Sequence, residues 1–205
     1  PDGKQLYYSS PGGIYRKPAD GSGDEELLMK GTRNDWVQSV SPNGKVLLYG
    51  YIDIMMLPLT GEGKATAYLQ TKYTEAFATF SPDGRWVAYQ SAESGQSEIN
   101  VQGFPERRGR WPVSAEGGFS PAWRADGKEL YWVGPDYTLM AASVELQPAR
   151  VRVLRTEGLF RLPARAEYAY YQPSRDGRRF QVYEPEGAQQ DRMVVVQNWA
   201  ARLGR

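Results

Sequence analysis

An all-β repeat fold is predicted by three features of this 205-residue sequence. The first is a turn, (Ser/Pro)-x-(Asp/Asn)-Gly followed by a basic residue. It recurs at Pro1-Asp2-Gly3-Lys4, Ser41-Pro42-Asn43-Gly44-Lys45, Ser81-Pro82-Asp83-Gly84-Arg85, Arg124-Ala125-Asp126-Gly127-Lys128 and Ser174-Arg175-Asp176-Gly177-Arg178. The second is its period: the glycines stand 41, 40, 43 and 50 residues apart, and about 40 residues make one four-stranded blade. The third is composition, since 14 Tyr, 6 Trp, 22 Gly and 14 Pro suit many short strands joined by tight turns. Together these specify a β-propeller of four-stranded antiparallel blades.

Each repeat opens on a strand that runs into the turn: Trp36 to Val40, Phe77 to Phe80, Phe119 to Trp123 and Tyr168 to Gln172. In the turn, Pro presets φ, Asp or Asn bonds nearby backbone, and Gly supplies φ > 0. A second strand follows, apolar at nearly every residue, as in Val46-Leu47-Leu48-Tyr49, Trp86-Val87-Ala88-Tyr89 and Leu130-Tyr131-Trp132-Val133. Such a run predicts a central strand covered on both faces. Third strands are Ile14 to Lys17, Ile54 to Leu57, Ile99 to Gln102, Leu139 to Val144 and Met193 to Val196. A weaker, more polar fourth is read near Leu27-Leu28, Ala67 to Leu69, Trp111 to Val113 and Val151 to Leu154, as befits a solvent edge.

This gives one propeller over residues 1–205. It consists of a partial blade 1–31, blades at about 32–71, 72–115 and 116–156, and an incomplete last blade at about 166–198. The extra residues of the last interval are placed in a loop from Thr156 to Glu167, and a short helix is expected from Trp199 to Leu203 in the tail 199–205. The first repeat lacks its inner strand and the last its outer one. The expected object is a partial ring of about four to five blades with further blades upstream of Pro1, and a closed four-bladed ring is the alternative.

Composition narrows the chemistry. Lys and Arg number 25 and Asp and Glu 24, interspersed, so nothing points to nucleic acid or to an anionic membrane. The absence of Cys and His removes disulfides, thiolate zinc sites and the commonest general base. No apolar run approaches the ~18 residues that span a bilayer. No Gly-x-Ser-x-Gly elbow, phosphate-binding loop or EF-hand loop is present. The turn Asp and Gly are adjacent, unlike those of a sialidase Asp-box, and the turn Asp residues are read as turn formers. No metal, cofactor or catalytic residue is therefore expected.

The repeated Ser-Pro-Asp-Gly-basic turn, with the apolar strand after it and Glu98-Ile99-Asn100-Val101 beyond, resembles the TolB-like, or WD-repeat-like, propeller family. The segment Phe80 to Tyr89 is its closest copy, and the resemblance covers essentially the whole chain. Asn43 for Asp, Arg124-Ala125 and Ser174-Arg175 for Ser-Pro depart from the pattern but keep the turn feasible. The ending, Gly177-Arg178-Arg179-Phe180 and then Val194-Val195-Val196-Gln197-Asn198-Trp199, resembles propellers attached to bacterial receptor-type serine/threonine kinases. That resemblance implies an extracytoplasmic sensor or scaffold on a larger protein and carries no kinase activity to this chain. A TolB-type periplasmic scaffold for envelope proteins is the alternative, and an accessory propeller of a prolyl-oligopeptidase-type hydrolase is another.

In a propeller the loops entering the first strands gather at one mouth of the central channel. Here they carry Asn34, Asp35 and Trp36; Tyr73, Thr74 and Glu75; Gly118 and Phe119; and Glu167 and Tyr168. Polar groups beside aromatics suit a protein, a peptide or a small polar ligand. The plainer alternative buries those aromatics between blades. The run Arg107-Arg108-Gly109-Arg110 is read as a solvated edge, with anion binding as its alternative.

Overall fold

The computed structural model describes residues 3–31, 35–61, 63–162, 171–186 and 190–197, and the side chains of these up to Val182. Its elements are antiparallel strands in consecutive order. The first sheet holds β1 (Gln5–Ser10), β2 (Gly13–Pro18) and β3 (Glu26–Lys30). The second holds β4 (Val37–Val40), β5 (Val46–Tyr49), β6 (Ile54–Pro58) and β7 (Thr66–Leu69). The third holds β8 (Glu75–Phe80), β9 (Trp86–Ser91), β10 (Glu98–Gly103) and β11 (Trp111–Pro112). The fourth holds β12 (Phe119–Trp123), β13 (Glu129–Val133), β14 (Thr138–Gln147) and β15 (Arg150–Arg161). The last holds β16 (Tyr171–Pro173), β17 (Arg179–Glu186) and β18 (Gln190–Gln197). Each sheet packs on the next through its inner strand, β4 on β8 and β8 on β12, so that the described residues form an open arc of blades.

The core lies between blades. Leu47 packs with Ile14 against the first sheet, whereas Leu48, the next residue, packs with Tyr68, Phe80 and Val87 toward the third. Val87 and Ala88 divide in the same way, as do Leu130 and Tyr131. Successive side chains of a strand point to opposite faces. A strand sandwiched between two blades therefore has to be apolar at consecutive positions, which is the pattern read in the sequence.

The turns gather at one end of the strands. In the turns at Gly44, Gly84, Gly127 and Gly177 the glycine N–H donates to the C=O three residues earlier, Gly84 to Ser81 at 2.9 Å and Gly44 to Ser41 at 2.8 Å. The Ser81 hydroxyl donates to Asp83 at 2.6 Å and accepts from the Trp86 N–H at 3.0 Å; Ser174 and Asp176 repeat this latch. In the fourth blade Arg124 replaces the serine, and its guanidinium instead bonds Asp126 and pairs with Glu129.

Two departures from the sequence reading concern the fourth blade. Thr156 to Arg161, expected in a loop, belongs to β15. The outer strand is also not the weak element expected, since β14 and β15 run 10 and 12 residues. Beyond β13 they continue as a two-stranded ribbon whose Val144 and Val151 pack with Trp86 and Trp111 of the third blade. Burial across that seam, not local propensity, holds the Arg-rich strand. The expected helix from Trp199 to Leu203 lies outside the described residues.

Candidate functional site

The inner strands β4, β8, β12 and β16 surround a cavity of about 660 Å³. Gln38, Phe77, Thr79, Ser120, Trp123, Tyr171 and Gln172 line it, with Trp36, Gly50 and Tyr51 at its entrance, and no charged side chain is among its described lining residues. Hydrogen bonds across the seams hold the strands around it. The Ala78 N–H donates to the Gln38 side chain at 2.7 Å, the Phe80 N–H to Ser39 at 3.2 Å, and the Tyr171 hydroxyl to the Ser120 C=O at 2.9 Å. Burial drives the Tyr171 pKa well above the usual phenol value, so this hydroxyl remains a donor.

Each of three inner strands carries a register shift at the same height: between Val37 and Ser39, Ala76 and Thr79, and Phe119 and Ala122. Phe77 and Ser120 there adopt φ of 54°. The left-handed region costs an L-residue roughly 1–2 kcal/mol, and such strain collects where structure serves a site. The bulges bend the inner strands around the cavity and set both residues in its wall.

The sequence-selected residues divide. Trp36 is 50 % exposed, with its ring 6.3 Å from that of Tyr51, and lies on the cavity wall. Asp35 lies beside it, and its C=O accepts from the Ser9 hydroxyl at 2.8 Å. Lys72 covers the Tyr73 ring at 5.1 Å, and Thr74 is exposed. Glu75 is buried: its Oε1 accepts from the Thr71 hydroxyl at 2.7 Å, while Oε2 has no partner. Burial raises the Glu75 pKa, against the lowering effect of the Thr71 bond, and the Asp53 carboxylate adds to the rise. Phe119 packs edge-on against Tyr137 at 6.2 Å. Gly118 lies under Trp132, where a Cβ would stand 2.6 Å from the indole. Asn34, Glu167 and Tyr168 lie outside the described residues.

Sequence reasoning missed Tyr51, Ile52, Phe77 and Ser120. Tyr51 and Ile52 were visible as an apolar pair after Gly50, outside any strand; Phe77 and Ser120 had no signal, because nothing in their type marks a left-handed backbone. The basic run is largely committed within the protein. Arg107 donates to the Tyr68 C=O of the second blade at 3.1 Å, and Arg110 bonds Asn100 and pairs with Glu93. Among the described residues no three His, Cys, Asp or Glu side chains converge as a metal-binding group, and no helix is long and apolar enough to cross a membrane.

No family model matches the chain, and no curated protein is similar to it by sequence. Solved structures are similar in fold. A putative TolB from Agrobacterium tumefaciens superposes with a TM-score of 0.61 at 23 % identity, over 78 % of this chain and 63 % of that one. TolB from Acinetobacter baumannii gives 0.71 at 17 % identity, over 96 % of this chain and 50 % of that one. An oligogalacturonate lyase in complex with manganese gives 0.59 at 10 % identity, over 90 % of this chain and 54 % of that one. The chain thus spans about half to two thirds of these structures and shares a β-propeller fold with TolB and with this lyase.

Proposed function

We propose that this chain is a non-catalytic, protein-binding arc of a larger TolB-like scaffold, docking a segment of its partner at the channel mouth. The observation that carries this reading is the exposed pair Trp36 and Tyr51 at the entrance of a groove whose described walls carry no charged side chain. Aromatic side chains held at the rim of a concave, apolar surface are the usual anchors of protein recognition. A non-catalytic role is supported by a sequence without His or Cys and by pocket walls that offer no activated nucleophile. The likeness to TolB supports a partner in the cell envelope and a place outside the cytoplasmic membrane.

The receptor-kinase arrangement is a second reading, favoured by the resemblance of the Val194 to Trp199 segment. It requires a kinase and a membrane helix encoded upstream of Pro1, and a gene lacking them overturns it. A hydrolase domain on the same gene would instead favour the peptidase-accessory reading. For docking itself, a photo-crosslinking residue is placed at Tyr51 or, as a control on the opposite face, at Lys45 of the full-length protein in its own cells. One envelope protein captured from Tyr51 and not from Lys45 is expected. Equal capture from both positions contradicts docking at the mouth.

A further inference from the structure

The mouth carries an excess of negative charge. Its loops hold Asp35, Asp53, Glu93, Glu116 and Asp136 among the described residues, with Glu75 at the start of β8. Described cations on this face include Lys72 and, at strand ends, Lys30 and Arg161, whose guanidinium donates to the Asp136 C=O, while Arg110 pairs with Glu93, so the acids still outnumber them. Basic residues recur instead at the opposite end, after each turn glycine, as Lys45, Arg85, Lys128 and Arg178.

Three of the carboxylates border one apolar patch. Trp36, Tyr51 and Ile52 are 50, 44 and 53 % exposed, three of the seven large hydrophobic side chains so exposed among the described residues. Asp35 precedes Trp36, Asp53 follows Ile52, and the Glu75 N–H donates to the Ile52 C=O at 2.7 Å. Asp53 accepts from the neutral Gln70 amide at 3.1 Å, and Glu75 keeps one buried oxygen without a hydrogen-bond partner, though Arg110 is near enough to act on it as a positive charge. Two carboxylates near enough to oppose each other's ionisation, beside exposed aromatics, complement a particular ligand chemistry. An acidic segment is repelled there, and a neutral one gains no charge attraction from them.

We infer that the mouth recognises a cationic partner segment, its apolar side chain seated on Trp36 and Tyr51 and its Lys or Arg groups set against Asp53, with the buried Glu75 carboxylate adding negative potential beneath. This inference rests on the docking reading above and adds the chemistry of the partner.

The test uses the full chain and short fluorescent peptides that share one leucine and differ only in carrying lysine, glutamine or glutamate at the remaining variable positions. Fluorescence anisotropy should show the lysine peptide binding about tenfold tighter than the glutamine peptide, as expected for a few modest charge pairs, with the glutamate peptide weakest. The advantage should shrink as salt is added and vanish in Asp53→Asn/Glu75→Gln. Asp53→Asn alone, at a half-buried loop position, should lose much of it, which guards against a seam disturbed at Glu75. Equal binding of all the peptides, each weakened by Trp36→Ala, overturns the cationic preference and leaves the docking reading standing. Binding indifferent to Trp36→Ala overturns both.

Discussion

Gly84 lies against Pro42 of the preceding blade: a Cβ at position 84 would stand 3.3 Å from the proline Cδ. Gly127 faces Pro82 in the same way at 3.6 Å, and Gly177 faces Arg124, which occupies the corresponding turn of the fourth blade. The repeated turn is thus a joint between blades as well as a reversal within one. Its glycine serves both roles, turning the chain at φ of 69° and admitting the neighbouring ring.

Gly84→Ala is expected to lose about 1–2 kcal/mol from the left-handed backbone alone, with the proline contact adding to it. The midpoint of urea unfolding, compared with the parent chain, reads the loss. An unchanged midpoint would show that the turn relaxes without cost.

Tyr68 joins the second and third blades through its buried hydroxyl, which donates to the Gly103 C=O at 3.0 Å beneath the Phe104 ring. Tyr68→Phe keeps the ring and strands that carbonyl, so a loss of about 1–3 kcal/mol is expected. Hydrogen exchange should show the loss locally, as faster exchange in β7 and β10.

Stability should respond to pH in two opposite senses. Asp126, bonded to Arg124, and Asp176, bonded to Ser174, have pKa values lowered by folding. Their contribution is present above the unfolded value of about 3.9 and is lost as pH falls through the folded ones. Glu75 is raised by burial, so its contribution is full below about 4.3 and is lost as pH rises through its folded value. Thermal melts across pH should show a maximum on the mildly acidic side. In Glu75→Gln the decline on the higher-pH side should flatten, while the acid decline remains.

Much of this fold was legible in the sequence because it is repetitive. The spacing of Gly44, Gly84, Gly127 and Gly177 set the blades, and consecutive apolar residues such as Leu47-Leu48 announced strands covered on both faces. What was not legible depends on tertiary packing. Trp36 and Phe119 stand five residues before their turns at equivalent positions, yet one faces the mouth and the other packs on Tyr137. The strand from Arg150 to Arg161 looked weak because its partners, Trp86 and Trp111, lie in the blade before. The left-handed backbones of Phe77 and Ser120 follow from bulges that close the inner strands around the cavity, a tertiary demand with no local residue signature.

The central claim is that partners dock at the mouth and not on the turn face. Peptides selected from a random displayed library on the parent chain give a direct measurement, through their affinities for Trp36→Ala/Tyr51→Ala and for the turn-face variant Lys45→Ala/Arg85→Ala. Affinity falling more than about tenfold in the mouth variant, and unchanged in the turn-face variant, is the result this account predicts. Selected peptides that bind the mouth variant as tightly as the parent chain, or that depend on Lys45 and Arg85, would contradict it.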